Sequence, residues 1–445
     1  MIGGRTTSNR QSRKSQKEPL ESKLEREKNP FKRLLMILGP GLITGASDDD
    51  PSGIGTYTQA GASFGFSTLW TAPVTLPMMA AVQFICAKIG MVTGMGLGGV
   101  LRKHYPRWVV YGAISLLVIA NTINAGTDIG AIAAAINLLV PIPALALVVP
   151  IALGIVLLQV FCSYALISRI FKWLTLTLFG YIFAAFLAGP HWGEVLKATF
   201  IPTIRFNHLY LMTLVAILGT TISPYLFFWQ ASQEVEEELN MGRSTLAERE
   251  GATDTEIKIA EIDVDIGMVF ASLVFYFVIL ASAATLHVAG KTDIQTATEA
   301  AEALRPLSGS GATFLFALGL IGCGCLAVPV LTGSSAYAIG EAFGWTCGLN
   351  EKLRTAPHFY GIIIASTMVG MLINFLKIAP VTALFWTAVI NGVLAPPLLV
   401  MIMLVSNNAK VMGKRVNGKL ANFIGWTTAA VMSAAAVGMF LTWGR

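Results

Sequence analysis

The sequence predicts an all-α, polytopic membrane protein with eleven transmembrane helices, two of them broken at mid-membrane depth. Composition is the first reason. Of 445 residues, 54% are hydrophobic and only 13% are charged, where a soluble globular chain carries about 25% charged residues. So few charges cannot cover a soluble surface. Second, apolar runs repeatedly reach the roughly 20 residues that cross a bilayer as helix. Third, two stretches, GPGLITGASDDDPSGIGTYTQAGA (39–62) and LGTTISPYLFFWQASQ (218–233), interrupt apolar segments with proline and small polar residues.

Residues 1–31 are polar and charged without apolar periodicity, and read as a disordered cytosolic tail. No short apolar core with a cleavage site opens the chain, so no removable signal peptide is expected. The hydrophobic segments follow at roughly 33–66, 70–94, 108–138, 142–167, 171–189, 209–232, 266–289, 312–345, 357–377, 381–406 and 420–443. Between them, RKHYPR, SRIFK, NEKLR and NAKVMGKRVNGK share one side with the basic tail. The other side holds Lys197, Arg205, Lys291, Arg305, Lys377 and Arg445. The positive-inside rule then places the N-terminus in the cytosol and the C-terminus outside, in the plasma (inner) membrane. The net charge of +6 follows from this loop placement and indicates no nucleic-acid partner. An acidic segment, 233–265, is expected as a solvated cytosolic loop. The five cysteines lie in or beside apolar runs, including the pair in IGCGCLAVPV, and read as small buried hydrophobes with no disulfide framework.

Asp48, Asp49 and Asp50 stand out in span 1, because each would cost about 2.5–3.5 kcal/mol at the centre of a lipid-facing helix. Pro51 removes a backbone donor and disfavours helix at Asp50, while Ser52, Gly53 and Gly55 weaken the helix further. Exposed backbone at that depth is tolerated only where protein or water satisfies it, which implies a binding cavity. Pro224, after Thr220, Thr221 and Ser223, makes a second break in span 6. Interrupted helices at corresponding positions point to the substrate site of a secondary transporter. Spans 1–5 (32–190) and 6–10 (209–406) are then inverted repeats, since an odd number of spans reverses orientation, with span 11 (420–443) outside them. Asp50 adjoins the broken backbone and is the leading cation ligand. Asp49 is a subsidiary candidate and Asp48 lies further off, because successive helical side chains diverge by about 100°.

The first stretch resembles the first-helix signature of Nramp-type divalent metal transporters, Asp-Pro-Gly-Asn followed by Gln-Ala-Gly-Ala. GTTISPY resembles the sixth-helix motif of the same family. The resemblance implies a leucine-transporter-type fold and a metal ion as transported substrate, with no cofactor and no enzymatic activity. It also exposes departures. The family's ligating asparagine falls at Gly53, its methionine at Ser223 and its histidine at Tyr225. A small residue that donates a carbonyl corresponds to Thr220. Asp128 keeps one acid of the third span, but the second appears as Ala131, and a further acid of the first helix as Tyr57. This pattern resembles the divergent prokaryotic branch of Nramp-related magnesium transporters.

Losing a thioether removes what favours soft transition metals and leaves oxygen donors suited to Mg²⁺. Mg²⁺ usually keeps several waters and takes one or two carboxylates. Gly for Asn and Ser for Met are expected to enlarge the pocket for such a partly hydrated ion, with Mn²⁺ as a possible second substrate. Thr220 and Ser223, three apart, are expected on one helical face. With Tyr225, Tyr57 and Ala131 replacing titratable groups, transport is expected to be uncoupled from protons. Asn391 of span 10 is a further candidate from the second repeat. Asp128, Gln59 and Gln230 are weaker ones. The chain is expected to act as a monomer in the lipid bilayer. The alternatives weighed are an ordinary proton-coupled Mn²⁺ or Fe²⁺ importer, a sodium-coupled organic solute carrier, and a membrane enzyme or receptor.

Overall fold

A computed structural model describes residues 36–162, 176–307, 309–376 and 378–443, together with Arg26, Asn29 and Lys32. The rest of the tail expected at 1–31 lies outside the described residues, as do the end of predicted span 4 and the start of predicted span 5. The described chain is helical throughout its ordered elements. The membrane helices are α1 (Pro40–Asp48), α2 (Pro51–Phe64), α3 (Thr71–Thr93), α4 (Leu97–His104, a short connector), α5 (Arg107–Leu139), α6 (Ala144–Phe161), α7 (Gly180–Leu187), α8 (His208–Thr221), α9 (Pro224–Asn240), α10 (Asp254–Ser282), α11 (Gly309–Phe343), α12 (Pro357–Leu372), α13 (Pro380–Ser406) and α14 (Lys419–Leu441). By length and composition, nine helical segments among the described residues can cross a membrane, with α8 and α9 forming one of them. Span 1 adds the broken pair α1 and α2, and α7 is the described helical part of span 5.

Small residues let the broken helices sink into the bundle. A side-chain carbon at Gly45 of α1 would overlap the Gly267 carbonyl of α10, and one at Gly219 of α8 would overlap Ala388 and Gly392 of α13. Close backbone approach between helices is what small residues permit where lipid supplies no hydrophobic drive. The first turn of α1 is tied down by α10. The Asp263 carboxylate accepts from the amides of Gly39 (2.9 Å), Gly41 (2.6 Å) and Leu42 (3.1 Å). It satisfies donors that a helix start leaves unpaired and adds an anion at the positive end of the helix.

The segment 233–265 differs from the expected solvated loop. α9 runs on to Asn240 and α10 begins at Asp254, so the connection is much shorter. Glu234, Glu236 and Glu238 turn into the bundle and are buried. Glu236 accepts from the Tyr337 hydroxyl (2.8 Å) and Asn350 (3.1 Å), and Glu234 accepts from Gln230 (2.8 Å). Tertiary partners thus override the polarity that read as loop. The start of α10 is set by a capping box in which Thr253 and Glu256 exchange backbone hydrogen bonds. All five cysteines are free thiols.

Candidate cation site

The site forms where the two breaks meet. In span 1, α1 ends at Asp48; Asp49 (φ −82°, ψ 52°) and Asp50 (φ −67°, ψ 168°) leave the helical path before Pro51 starts α2. Span 6 breaks the same way, with Ile222 (φ −119°, ψ 60°) and Ser223 (φ −78°, ψ 131°) before Pro224. In each case the residue before proline is extended, as proline sterics require.

Asp50 is the N-cap of α2. Its Oδ1 accepts from the Gly53 amide (2.7 Å) and the Ser52 hydroxyl (2.7 Å), and its Oδ2 accepts from Asn124 Nδ2 (3.1 Å) on α5. The carboxylate is therefore held rigidly at the helix start. Ser223 behaves differently: its hydroxyl turns back and donates to the Gly219 and Thr220 carbonyls, both at 2.8 Å. That leaves only lone pairs on the Ser223 oxygen for a ligand. Thr220 lies in the last turn of α8 while Ser223 lies beyond the helix, so the expectation of two hydroxyls on one regular helical face is replaced by a kinked arrangement.

A direct hydrogen bond joins the two breaks, with Tyr225 Oη donating to the Ser47 carbonyl (3.0 Å). Ser334 of α11 donates to the Tyr225 carbonyl (2.7 Å). Gly53 also touches span 6, since a Cβ there would sit 3.1 Å from Thr220 Oγ1 and 3.3 Å from Tyr57. The room expected at Gly53 is therefore closed by the approach of α2 to α8; the glycine is spent on packing rather than on space. Asn391 lies on α13 between Ala388 and Gly392, the residues that meet Gly219, which places it beside the end of α8. Thr127 of α5 reaches Thr387 of α13 at 3.4 Å and closes the ring of spans 1, 3, 6 and 10.

These residues are sealed. Asp48, Asp49, Asp50, Thr220, Ser223 and Asn391 are each 1% exposed, and Asn124 and Asp128 are fully buried. Both carboxylate oxygens of Asp48, Asp49 and Asp128, both amide atoms of Asn391, and Asn124 Oδ1 have no hydrogen-bond partner. Buried anions without partners are costly, so this buried cluster favours a cation. The described residues hold no group of three or more His, Cys, Asp or Glu placed to grip a metal. Cys323 of α11 is fully buried.

Gln59 is spent elsewhere, bonding Ser63, the Thr292 carbonyl and the Ile294 amide. Gln230 links Thr44 to Glu234. Asn124 is the site residue that sequence reasoning missed; the available hint was its place one helical turn before Asp128.

Comparison with known proteins agrees with this architecture. Residues 41–442 match the family described as "Natural resistance-associated macrophage protein-like". The chain is similar to the divalent metal cation transporter MntH of Agrobacterium fabrum, 28% identical over 94% of this chain and 90% of the relative. It is 26% identical to the MntH of Brucella suis, covering 92% and 89%. Among solved structures, a manganese transporter of Eremococcus coleocola aligns with a TM-score of 0.73 at 18% identity, over 94% of this chain and 90% of that one. Mhp1, a nucleobase-cation-symport-1 family transporter, aligns with a TM-score of 0.55 at 14% identity, over 91% and 92%. At such identities the structural likeness shows the fold, the all-helical leucine-transporter type. The family match spans nearly the whole chain, and this protein belongs to the Nramp family.

Proposed function

We propose that the chain is a secondary transporter that carries Mg²⁺ into the cell by alternating access, as a partly hydrated ion and without a coupled proton. The observation behind this reading is the Asp50 carboxylate, held at the first of two helix breaks by Ser52, Gly53 and Asn124 and sealed from solvent. Relatives named as divalent metal cation transporters support the general class. The preference for Mg²⁺ rests on donor chemistry. One carboxylate with hydroxyl, amide and backbone oxygens suits a hard ion that sheds water reluctantly. The metal is substrate, and no cofactor is called for.

Uncoupled entry is energetically sufficient, since two charges crossing an inside-negative membrane gain about 4.6 kcal/mol per 100 mV. Tyr57, Tyr225 and Ala131 stand where the family resemblance places the acids and the histidine of a proton relay, and none of the three exchanges protons readily near neutral pH. The protein works as a monomer in the plasma membrane, with its N-terminus cytosolic and its C-terminus outside. The repeats 32–190 and 209–406 rock about the site.

The second reading is a proton-coupled Mn²⁺ or Fe²⁺ importer. A structural neighbour named as a manganese transporter favours it. Uptake into proteoliposomes, comparing Mg²⁺ with Mn²⁺ and recording internal pH, separates the two. Mg²⁺ entry with constant internal pH is expected; acidification that tracks metal entry overturns the uncoupled reading.

A further inference from the structure

We propose that Asn124 is a ligand-facing residue of the transported dication, offering its carboxamide Oδ1 from α5 as a neutral oxygen donor beside Asp50. The inference rests on the cation-site reading above and deepens it. Asn124 Nδ2 donates to Asp50 Oδ2 at 3.1 Å, which fixes the plane and direction of the amide. Its Oδ1, on the same carbon, is consequently held within a few ångströms of the carboxylate. That oxygen is fully buried and has no hydrogen-bond partner.

Two buried acceptors side by side repel, and a cation between them turns the repulsion into attraction. The Asn124 backbone is fixed too, its carbonyl accepting from Thr127 Oγ1 (2.9 Å), while Thr127 in turn meets Thr387 of α13. One turn further along α5, Asp128 presents two more unpartnered oxygens. Span 1 carries no carboxamide at its own break, and a Cβ at Gly53 would already sit a tight 3.1 Å from Thr220 Oγ1. The opposite wall, α5, holds one already oriented by the principal carboxylate. Asn124 therefore does two things with one group: its nitrogen positions Asp50, and its oxygen faces the ion.

Exchanging the residue separates these roles. Asn124→Ala removes donor and acceptor. Asn124→Asp keeps an acceptor oxygen and loses the donor. The full chain is reconstituted for Mg²⁺ uptake and, in detergent, titrated with Mg²⁺ by calorimetry, with Asp50→Ala alongside and size-exclusion profiles as the folding control. Asn124→Ala is expected to weaken Mg²⁺ binding at least tenfold, and Asn124→Asp to stay within about threefold of the parent. If Asn124 served only to orient Asp50, the aspartate, repelling it, would lose as much as the alanine, and that outcome overturns the proposal. Unchanged binding in Asn124→Ala beside abolished binding in Asp50→Ala overturns it alone. Unchanged binding in Asp50→Ala overturns the cation-site reading itself.

Discussion

The two helix breaks follow nearly the same backbone path and carry opposite chemistry. Each has a residue with ψ near 50–60° (Asp49, Ile222), then an extended residue (Asp50, Ser223), then a proline that opens the next helix. In span 1 the residue before proline is an anion whose carboxylate caps the new helix and meets Asn124. In span 6 it is a serine that turns back on the helix just ended and caps nothing ahead. Proline decides where the helix stops, and the residue before it decides what the opening can bind. Charge is thus concentrated on one side of the junction and neutral dipoles on the other. On the proposed function, a substrate held between them would be attracted by span 1 and selected by span 6.

Removing the charged side of this pair should have the largest effect. Asp50→Ala is expected to reduce Mg²⁺ uptake in proteoliposomes by at least a hundredfold, while Ser223→Ala costs less than about fivefold; equal losses would mean the breaks are not specialised. Giving span 6 a soft donor should change preference rather than turnover. Ser223→Met is expected to shift the Mn²⁺ to Mg²⁺ uptake ratio by about tenfold, the equivalent of roughly 1.4 kcal/mol. The contact between the breaks can be tested by stability. Gly53→Ala puts a carbon 3.1 Å from Thr220 Oγ1, and overpacking of this kind costs about 1–3 kcal/mol. A lowered melting temperature, partly recovered in Gly53→Ala with Thr220→Ala, would confirm that the two surfaces touch. Tyr225→Phe should be the mildest, losing one hydrogen bond to Ser47 worth about 0.5–1.5 kcal/mol and read as a small drop in melting temperature.

Much of the scaffold was legible before any coordinates. The spans followed from apolar runs, and both breaks from Asp-Pro and Ser-Pro dipeptides, since those steric effects act between bonded neighbours. The place of Asp50 at the first break was legible as well, because Pro51 fixes where the preceding helix stops. Gly53 misled: its small size suggested space, and helix approach used that space for contact with Thr220. The acidic run after Trp229 misled in the same way, because Tyr337 and Asn350 sit far along the chain and give Glu236 partners that no local pattern reveals.

Asn124 marks the boundary between the two kinds of information. It lies 74 residues from Asp50, in a helix whose own sequence does not say which face turns toward span 1. Helix positions and helix ends come from short-range forces and can be read along the chain. Which donors surround the carboxylate, and whether an amide oxygen stays unpaired beside it, depends on how α2, α5, α8 and α13 rotate and press together, and packing sets that across the whole bundle at once.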